Sequence, residues 1–384
     1  MEFIGRFLHK PKESFFLFGP RGTGKSLWTK HYLKDEIRLD FLQPNTLREY
    51  SSYPERLYDL VKANPDKKIF VLDEVQKIPA ILNVVHSLIE EQKGIQFVLT
   101  GSSARKIKRS GVDLLAGRAV MRHLCPFMAA ELGNLFSLEK VLKYGLLPLI
   151  WSANDPQDAL NAYHGLYLRE EVQMEAMVRD IGNFSRFLEI ISFSHASILS
   201  ISNISRDCEV GRKAIEGYIN VLEDLLLSFK INVFTKRAKR ELAEHPKFYF
   251  FDAGVFRSIR PKGPLDNTPE MDGMALEGLV AQHLQAWISY RGKDNALYFW
   301  RTRGGSEVDF IVYGEDGIWA IEVKNSSKIH PQDLRSLKSF RKDYPESKAI
   351  FLYRGTDRLL KDNILCIPCE EFLKNLHPEK PILP

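Results

Sequence analysis

The segment Gly19-Pro-Arg-Gly-Thr-Gly-Lys25-Ser26 constrains this chain more than any other. It fits the pattern G-x-x-x-x-G-K-[ST], follows the apolar run Phe15–Phe18 and opens a helical stretch at Lys25–Lys34. A strand, a glycine-rich turn and a helix N-terminus are therefore expected in that order. Glycines let consecutive backbone N–H groups turn inward around a phosphate, and the helix start adds partial positive charge. The expected cradle is Gly19, Pro20, Arg21, Gly22, Thr23, Gly24, Lys25, Ser26 and Leu27. Lys25 would reach the β and γ oxygens and Ser26 would hold Mg²⁺, so ATP and Mg²⁺ are the expected ligands.

The surrounding pattern is α/β. Apolar runs at Phe15–Phe18, Ile69–Leu72 and Phe97–Thr100 do not alternate, as expected of parallel strands buried on both faces. Shorter strands are expected at Ile37–Phe41 and Ala119–Leu124, with helices at Pro54–Asn64 and Ala80–Gln92. The length of 384 residues allows two or three domains. Residues 1–125 read as a P-loop NTPase core and 126–182 as a helical extension. In 183–255, helices at Phe184–Phe193, Ile201–Asp207 and Gly211–Phe229 precede strands at Ile231–Thr235 and Lys247–Phe251, a winged-helix pattern. Gly254–Gly273 reads as a linker, and 270–384 as a second α/β domain.

Asp73 and Glu74 end the Ile69–Leu72 strand. Asp73 would hold Mg²⁺, and Glu74 would polarise an attacking water. Thr100 or Ser102, at the end of the next strand, would orient that water or touch the γ-phosphate. Arg118 would neutralise γ-phosphate charge on a neighbouring subunit, in competition with Arg105 and Arg109.

A second constellation lies near the C-terminus. If Gly314-Glu-Asp-Gly317 is a four-residue hairpin loop, Tyr313 pairs with Ile318 and Asp309 stands opposite Glu322, with Lys324 on the same face. Two carboxylates and a lysine then converge, as needed to hold Mg²⁺ against a phosphodiester. Glu277 on the preceding helix would add an oxygen ligand. A structural ion pair between Glu322 and Lys324 or Arg301 is the competing reading.

The formal charge is +5, from 54 basic and 49 acidic side chains, which permits a polyanionic partner without demanding one. Basic residues cluster at Ala104–Arg109 and Lys236–Arg240, and Arg212 and Lys213 open the candidate recognition helix. Cys366-Ile-Pro-Cys369 lacks a second pair or a histidine to complete a zinc site and reads as structural, and His123, His164 and His283 have no evident partners. The N-terminus does not read as a signal peptide, and no run approaches 18 apolar residues, so a cytoplasmic protein without membrane insertion is expected.

Taken together, the chain resembles a family of archaeal and bacterial ATPases that join an AAA-type core to a winged-helix segment and a C-terminal domain of restriction-endonuclease type. The resemblance spans nearly the whole length. It rests on the Gly19–Ser26 loop, VLDEVQKIP at Val71–Pro79, LTGSSARK at Leu99–Lys106, LAGRAV at Leu115–Val120 and YGLLP at Tyr144–Pro148. Further marks are YLREEV at Tyr167–Val172, RDI at Arg179–Ile181, KFYFFDAGV at Lys247–Val255, YFWRTRGGSEVDF at Tyr298–Phe310 and AIEVKNSS at Ala320–Ser327. Leu146 stands where the family commonly has a second glycine. The resemblance implies ATPase roles for Lys25, Ser26, Asp73 and Glu74, and a nuclease-like quartet of Glu277, Asp309, Glu322 and Lys324. Three functions follow as expectations: an ATPase regulating a nucleic-acid-binding module, an ATP-gated metal-dependent DNA endonuclease, or a switch whose C-terminal domain is a non-catalytic platform for protein or DNA. Nucleic acid, most readily DNA, is the expected partner, with a protein partner or a homo-oligomer as further expectations.

Overall fold

The structure is a computed structural model that describes residues 3–91, 94–102, 115–167, 180–236, 245–263 and 268–383. Arg105, Arg109, the Ala104–Arg109 cluster and all of the Lys236–Arg240 cluster except Lys236 lie outside the described residues, as do most of Tyr167–Val172 and the Arg179 position. The chain forms two compact units, one of Leu8–Cys125 with Glu223–Leu226, the other of Met1–Phe7, Pro126–Leu222 and Leu227–Pro384.

The first unit holds a five-stranded sheet of β1 (Ser14–Phe18), β2 (Glu36–Asp40), β3 (Ile69–Asp73), β4 (Gln96–Gly101) and β5 (Ala119–His123), in the order β2-β3-β4-β1-β5. All its pairings are parallel. Every residue of β1 and β4 is buried, which is why their sequences run apolar instead of alternating. The helix Ile81–Glu91 buries Ile81, Leu82, Val84, Val85 and Leu88, one stripe at helical spacing. The helix expected at Pro54–Asn64 occurs as Arg56–Lys62, and a further helix, Pro44–Ser52, precedes it; that one opens on Pro44, whose fixed φ suits the first turn.

The second unit is organised by a nine-stranded sheet. Its strands are β6 (Ser197–Ile198), β7 (Ser228–Val233), β8 (Lys247–Phe250), β9 (Asn295–Arg301), β10 (Glu307–Gly314), β11 (Gly317–Val323), β12 (Lys348–Tyr353), β13 (Leu359–Lys361) and β14 (Ile364–Pro368). The order is β13-β14-β12-β11-β10-β9-β7-β8-β6. Strand β7 pairs antiparallel with β8 through Ser228–Ile231 and then parallel with β9 through Asn232 and Val233. The segments read as a winged helix and as a separate C-terminal domain thus share one sheet.

Before β7 come the helices Ile181–Ser192, Ile201–Cys208 and Arg212–Asp224. The turn between the last two passes through Glu209 at φ 58, and the Ser205 hydroxyl donates to the Val210 carbonyl at 2.7 Å. The third helix ends at Asp224 rather than at Phe229, because Leu226 takes φ 59 and the following apolar residues enter β7. The expected linker is also largely structured. Asp252 caps a buried helix, Ala253–Ile259, and the helix Thr268–Arg291 begins soon after.

That 24-residue helix is buried on most sides because the sheet and the 126–167 segment both pack on it. Among the described residues, no helix is long and apolar enough to cross a membrane. His283 on this helix has two partners the sequence did not reveal: its Nδ1 donates to the Leu279 carbonyl at 2.8 Å and its Nε2 accepts from Ala129 N at 2.9 Å. Burial pushes the His283 ring down to about 4 and His195 to about 3. The unfolded chain takes up these protons near the ordinary value of 6.5, whereas the fold refuses them until well below it. Their contribution to stability is complete above 6.5 and is lost as pH falls toward 4. Replacing His283 with Gln is expected to lower the pH slope of unfolding free energy in this window by up to about 1.4 kcal/mol per pH unit, measured as the urea midpoint at several pH values.

Candidate functional site

The glycine-rich loop leaves β1 and meets the helix Lys25–Tyr32. Gly22 and Gly24 sit at φ 86 and 90, where a side chain is strained, and a Cβ on Gly19 would lie 2.6 Å from the Leu124 carbonyl oxygen. Thr23 closes the turn by donating to the Pro20 carbonyl at 2.9 Å. Lys25 is nearly buried, and its ammonium folds back over the loop to donate to the carbonyls of Gly19 at 2.6 Å and Pro20 at 3.2 Å. Arg21 is exposed on the loop, and Leu27 is 59% exposed one residue beyond Ser26.

Parallel pairing brings the ends of β3 and β4 beside this loop. The Ser26 hydroxyl donates to Asp73 Oδ2 at 3.0 Å, while the Thr100 hydroxyl donates to Asp73 Oδ1. A hydroxyl and a carboxylate so placed fit the expected Mg²⁺, with Ser26 and Asp73 as the residues that would hold it. Arg38, on the neighbouring β2, reaches the same carboxylate at 3.7 Å. Glu74 leaves the strand at φ 60, and its carboxylate accepts from Gln76 Nε2 at 2.5 Å. The same amide lies 3.3 Å from Ser102 Oγ.

Ser102 therefore contacts Gln76, and Thr100 orients Asp73. Arg118 donates to Glu90 on the Ile81–Glu91 helix, an ion pair within its own chain. Sequence reasoning missed Arg38 and Gln76. Arg38 lies in no recognised motif, whereas Gln76 stands within VLDEVQKIP, between Val75 and Lys77, and carries no spacing of its own.

In the second unit the hairpin has the expected register, Tyr313 opposite Ile318 and Phe310 opposite Ile321. The pairing runs one step further, Gly314 to Gly317, so the loop has two residues, not four, with Gly317 at φ 94. Asp309 and Glu322 are both buried, Asp309 Oδ2 accepts from Val323 N at 2.9 Å, and Lys324 pairs with Glu322 at 2.9 Å. Glu277 joins them from the Thr268–Arg291 helix.

The structure adds a residue at the centre of this cluster. Lys247, the first residue of β8, is 2% exposed, and its ammonium lies 3.0 Å from Glu277 Oε1, 2.6 Å from Glu307 Oε1 and 3.3 Å from Asp309 Oδ1. Tyr249 donates its hydroxyl to Glu277 at 2.7 Å. Burial would lower the Lys247 ammonium, but the carboxylates outweigh it and hold the group well above its usual range. Burial, with Asp309 adding to it, pushes Glu277 up to about 7, and the same two causes raise Glu322. Lys247 is a lone charge entering an aromatic strand, a sequence signal that goes unread without its distant partners.

Mg²⁺ takes oxygen ligands at about 2.0–2.1 Å in near-ideal octahedral geometry. Here the oxygens converge on an ammonium at hydrogen-bond distances instead. Among the described residues, no group of three His, Cys, Asp or Glu side chains is arranged to hold a metal ion. The expected ligands Glu277, Asp309 and Glu322 are brought together, but in this arrangement they do not fit a divalent metal. Cys366 and Cys369 are buried free thiols, with burial pushing Cys369 up to about 12.

Comparison with known proteins supports an ATPase assignment for the first unit. Residues 11–133 match a family model described as an AAA domain. Residues 135–266 and 272–372 match two models described as domains of unknown function, DUF8612 and DUF4143. The uncharacterized protein Rv2008c of Mycobacterium tuberculosis is 22% identical over 378 residues, covering 96% of this chain and 83% of the relative. An uncharacterized protein of Haemophilus influenzae is 21% identical over 335 residues, covering 79% and 80%. AMPPCP-bound DnaA from Aquifex aeolicus overlaps 55% of this chain and 82% of its own at 14% identity, with a TM-score of 0.22. The AAA match and the loop geometry together define an AAA-type, ATP-binding P-loop domain with a parallel sheet.

Removing the phenol hydroxyl that supports Glu277 leaves a buried acceptor short of one donor. Tyr249→Phe is expected to destabilise the protein by about 1–2 kcal/mol, read from urea denaturation.

Proposed function

We propose that the protein hydrolyses ATP and uses its nucleotide state to regulate a nucleic-acid-binding module. The observation that carries this reading is the conjunction of Lys25 on its own loop carbonyls, Ser26 against Asp73, and Glu74 held by Gln76. The Lys25 ammonium exchanges the carbonyls of Gly19 and Pro20 for phosphate oxygens, while loop N–H groups bind the phosphates between them. Bound Mg²⁺ supplies charge neutralisation at the β and γ oxygens. Glu74 accepts a proton from water as the water oxygen bonds to the γ-phosphorus and the bond to the β–γ bridging oxygen breaks, giving ADP and phosphate. Thr100 and Arg38 hold Asp73 in place, and Gln76 is a positioning residue for Glu74.

The nucleic-acid part of the reading rests on the second unit. Three helices, β6 and the β7–β8 hairpin follow in the order of a winged helix, and Arg212 and Lys213 are exposed at the start of its third helix. Phosphates of DNA suit that pair. The C-terminal sheet is read as an interaction platform in preference to a metal-dependent nuclease, because Lys247 occupies the point on which the carboxylates converge.

Lys25→Ala is expected to weaken ATP binding about 30-fold or more, measured with a fluorescent ATP analogue. Glu74→Gln should leave affinity within about threefold and lower kcat at least about 100-fold. ATP hydrolysis undiminished in both variants sinks the catalytic assignment. Gln76→Ala should lower kcat about tenfold with little change in KM, a split that a merely structural role would not give. For the module, Arg212→Ala/Lys213→Ala is expected to weaken binding of labelled duplex DNA about tenfold in low salt, by fluorescence anisotropy. Absence of any DNA binding by wild type under those conditions would redirect the search to a protein partner.

A further inference from the structure

A buried lysine whose three N–H donors meet three carboxylates from two different elements fills a place that acidic clusters usually leave to a metal. Glu307 and Asp309 come from β10 and Glu277 from the Thr268–Arg291 helix, while Lys247 itself arrives from β8. Arg301 takes the other Glu307 oxygen at 3.1 Å, and Lys324 takes one oxygen of Glu322. The second Glu322 oxygen, Oε2, is buried and has no hydrogen-bond partner, although the hairpin register sets Glu322 opposite Asp309. One strong acceptor beside the cluster is therefore left over after the resident cations are placed, and its desolvation is uncompensated.

We propose that the Lys247 ammonium is the resident cation of this cluster and that a divalent cation enters only by displacing it. With Lys247 in place, a divalent ion among the same oxygens would sit against a positive charge in a buried site, where repulsion is weakly screened. With the ammonium withdrawn, Glu277, Asp309 and the spare oxygen of Glu322 become available to one hard cation. Lys247 begins β8, the strand that pairs with β6 and β7, so the sheet itself delivers the ammonium to the cluster. The inference goes beyond the proposed ATPase function and does not depend on it.

The test uses the full chain, free of nucleotide and stripped with EDTA, titrated with MnCl₂ and followed by electron paramagnetic resonance. Wild type is expected to show no Mn²⁺ binding that depends on Glu322 up to about 1 mM. Lys247→Met should bind one Mn²⁺ per chain at least about tenfold more tightly than wild type, and Lys247→Met/Glu322→Gln should lose that ion. Should Lys247→Met be unfolded in EDTA, regaining its circular dichroism with Mn²⁺ carries the same meaning. Wild-type binding that falls with Glu322→Gln and is as tight as in Lys247→Met would overturn the proposal. A folded Lys247→Met that binds no Mn²⁺, or one that stays unfolded with Mn²⁺, would overturn it as well.

Discussion

Strand β7 belongs to two ladders at once, and the second unit depends on that. Its first four residues pair with β8 and its next two with β9, so the helix-turn-helix segment and the C-terminal sheet cannot move as independent bodies without breaking backbone hydrogen bonds. The same junction delivers Lys247 to carboxylates 30, 60 and 62 residues away. Burying such charges is costly, and the cluster does not make the unit stable merely by existing. Breaking it on one side is what costs, about 3–5 kcal/mol for a buried partner left unpaired. The cluster ties β8, β10 and the Thr268–Arg291 helix together through one ammonium.

The nucleotide site solves a related problem by a different route. Lys25, which meets phosphate in the proposed function, is nearly buried, and an unsatisfied ammonium there would be unfavourable. The loop supplies its own carbonyls as temporary acceptors, 2.6 and 3.2 Å away. Asp73 is likewise engaged by Ser26, Thr100 and Arg38. In the proposed function, ligand binding at this site is an exchange of partners within a prepared arrangement, which limits the reorganisation that binding has to drive.

What the sequence made legible is what local physics determines. The loop motif, the buried strands that carry it and the Asp73–Glu74 pair follow from spacing along one or two elements, and the hairpin register followed from the period of two. The helix Pro44–Ser52 was hidden because it is polar, with Tyr50 its only buried residue. The linker reading failed because glycine and proline at 254–264 were weighed above the four buried residues Ala253–Phe256. Lys247 was invisible for a stronger reason: its partners are set by which strands become neighbours, and no local pattern encodes that; the same holds for the contact of Gln76 with Ser102, though not for its contact with Glu74 two residues away.

The two motifs YGLLP and KFYFFDAGV, about a hundred residues apart, are the two sides of one joint. Asp252 accepts from Leu146 N at 2.7 Å and from Val255 N at 3.0 Å, tying the start of one helix to the end of another. Gly145 stands at φ 77, and a Cβ there would lie 2.0 Å from Asp252 Oδ1; a Cβ on Gly254 would lie 2.2 Å from the Tyr144 carbonyl oxygen. Both glycines are thus required by the close approach of backbone to backbone and to carboxylate. Leu146 needs no such freedom: it is outside the positive-φ region, its N–H serves Asp252, and its side chain is fully buried. The departure from the common second glycine exchanges backbone freedom for apolar burial at a position whose backbone conformation any residue can adopt. The aspartate and glycines of these two motifs are here a packing device.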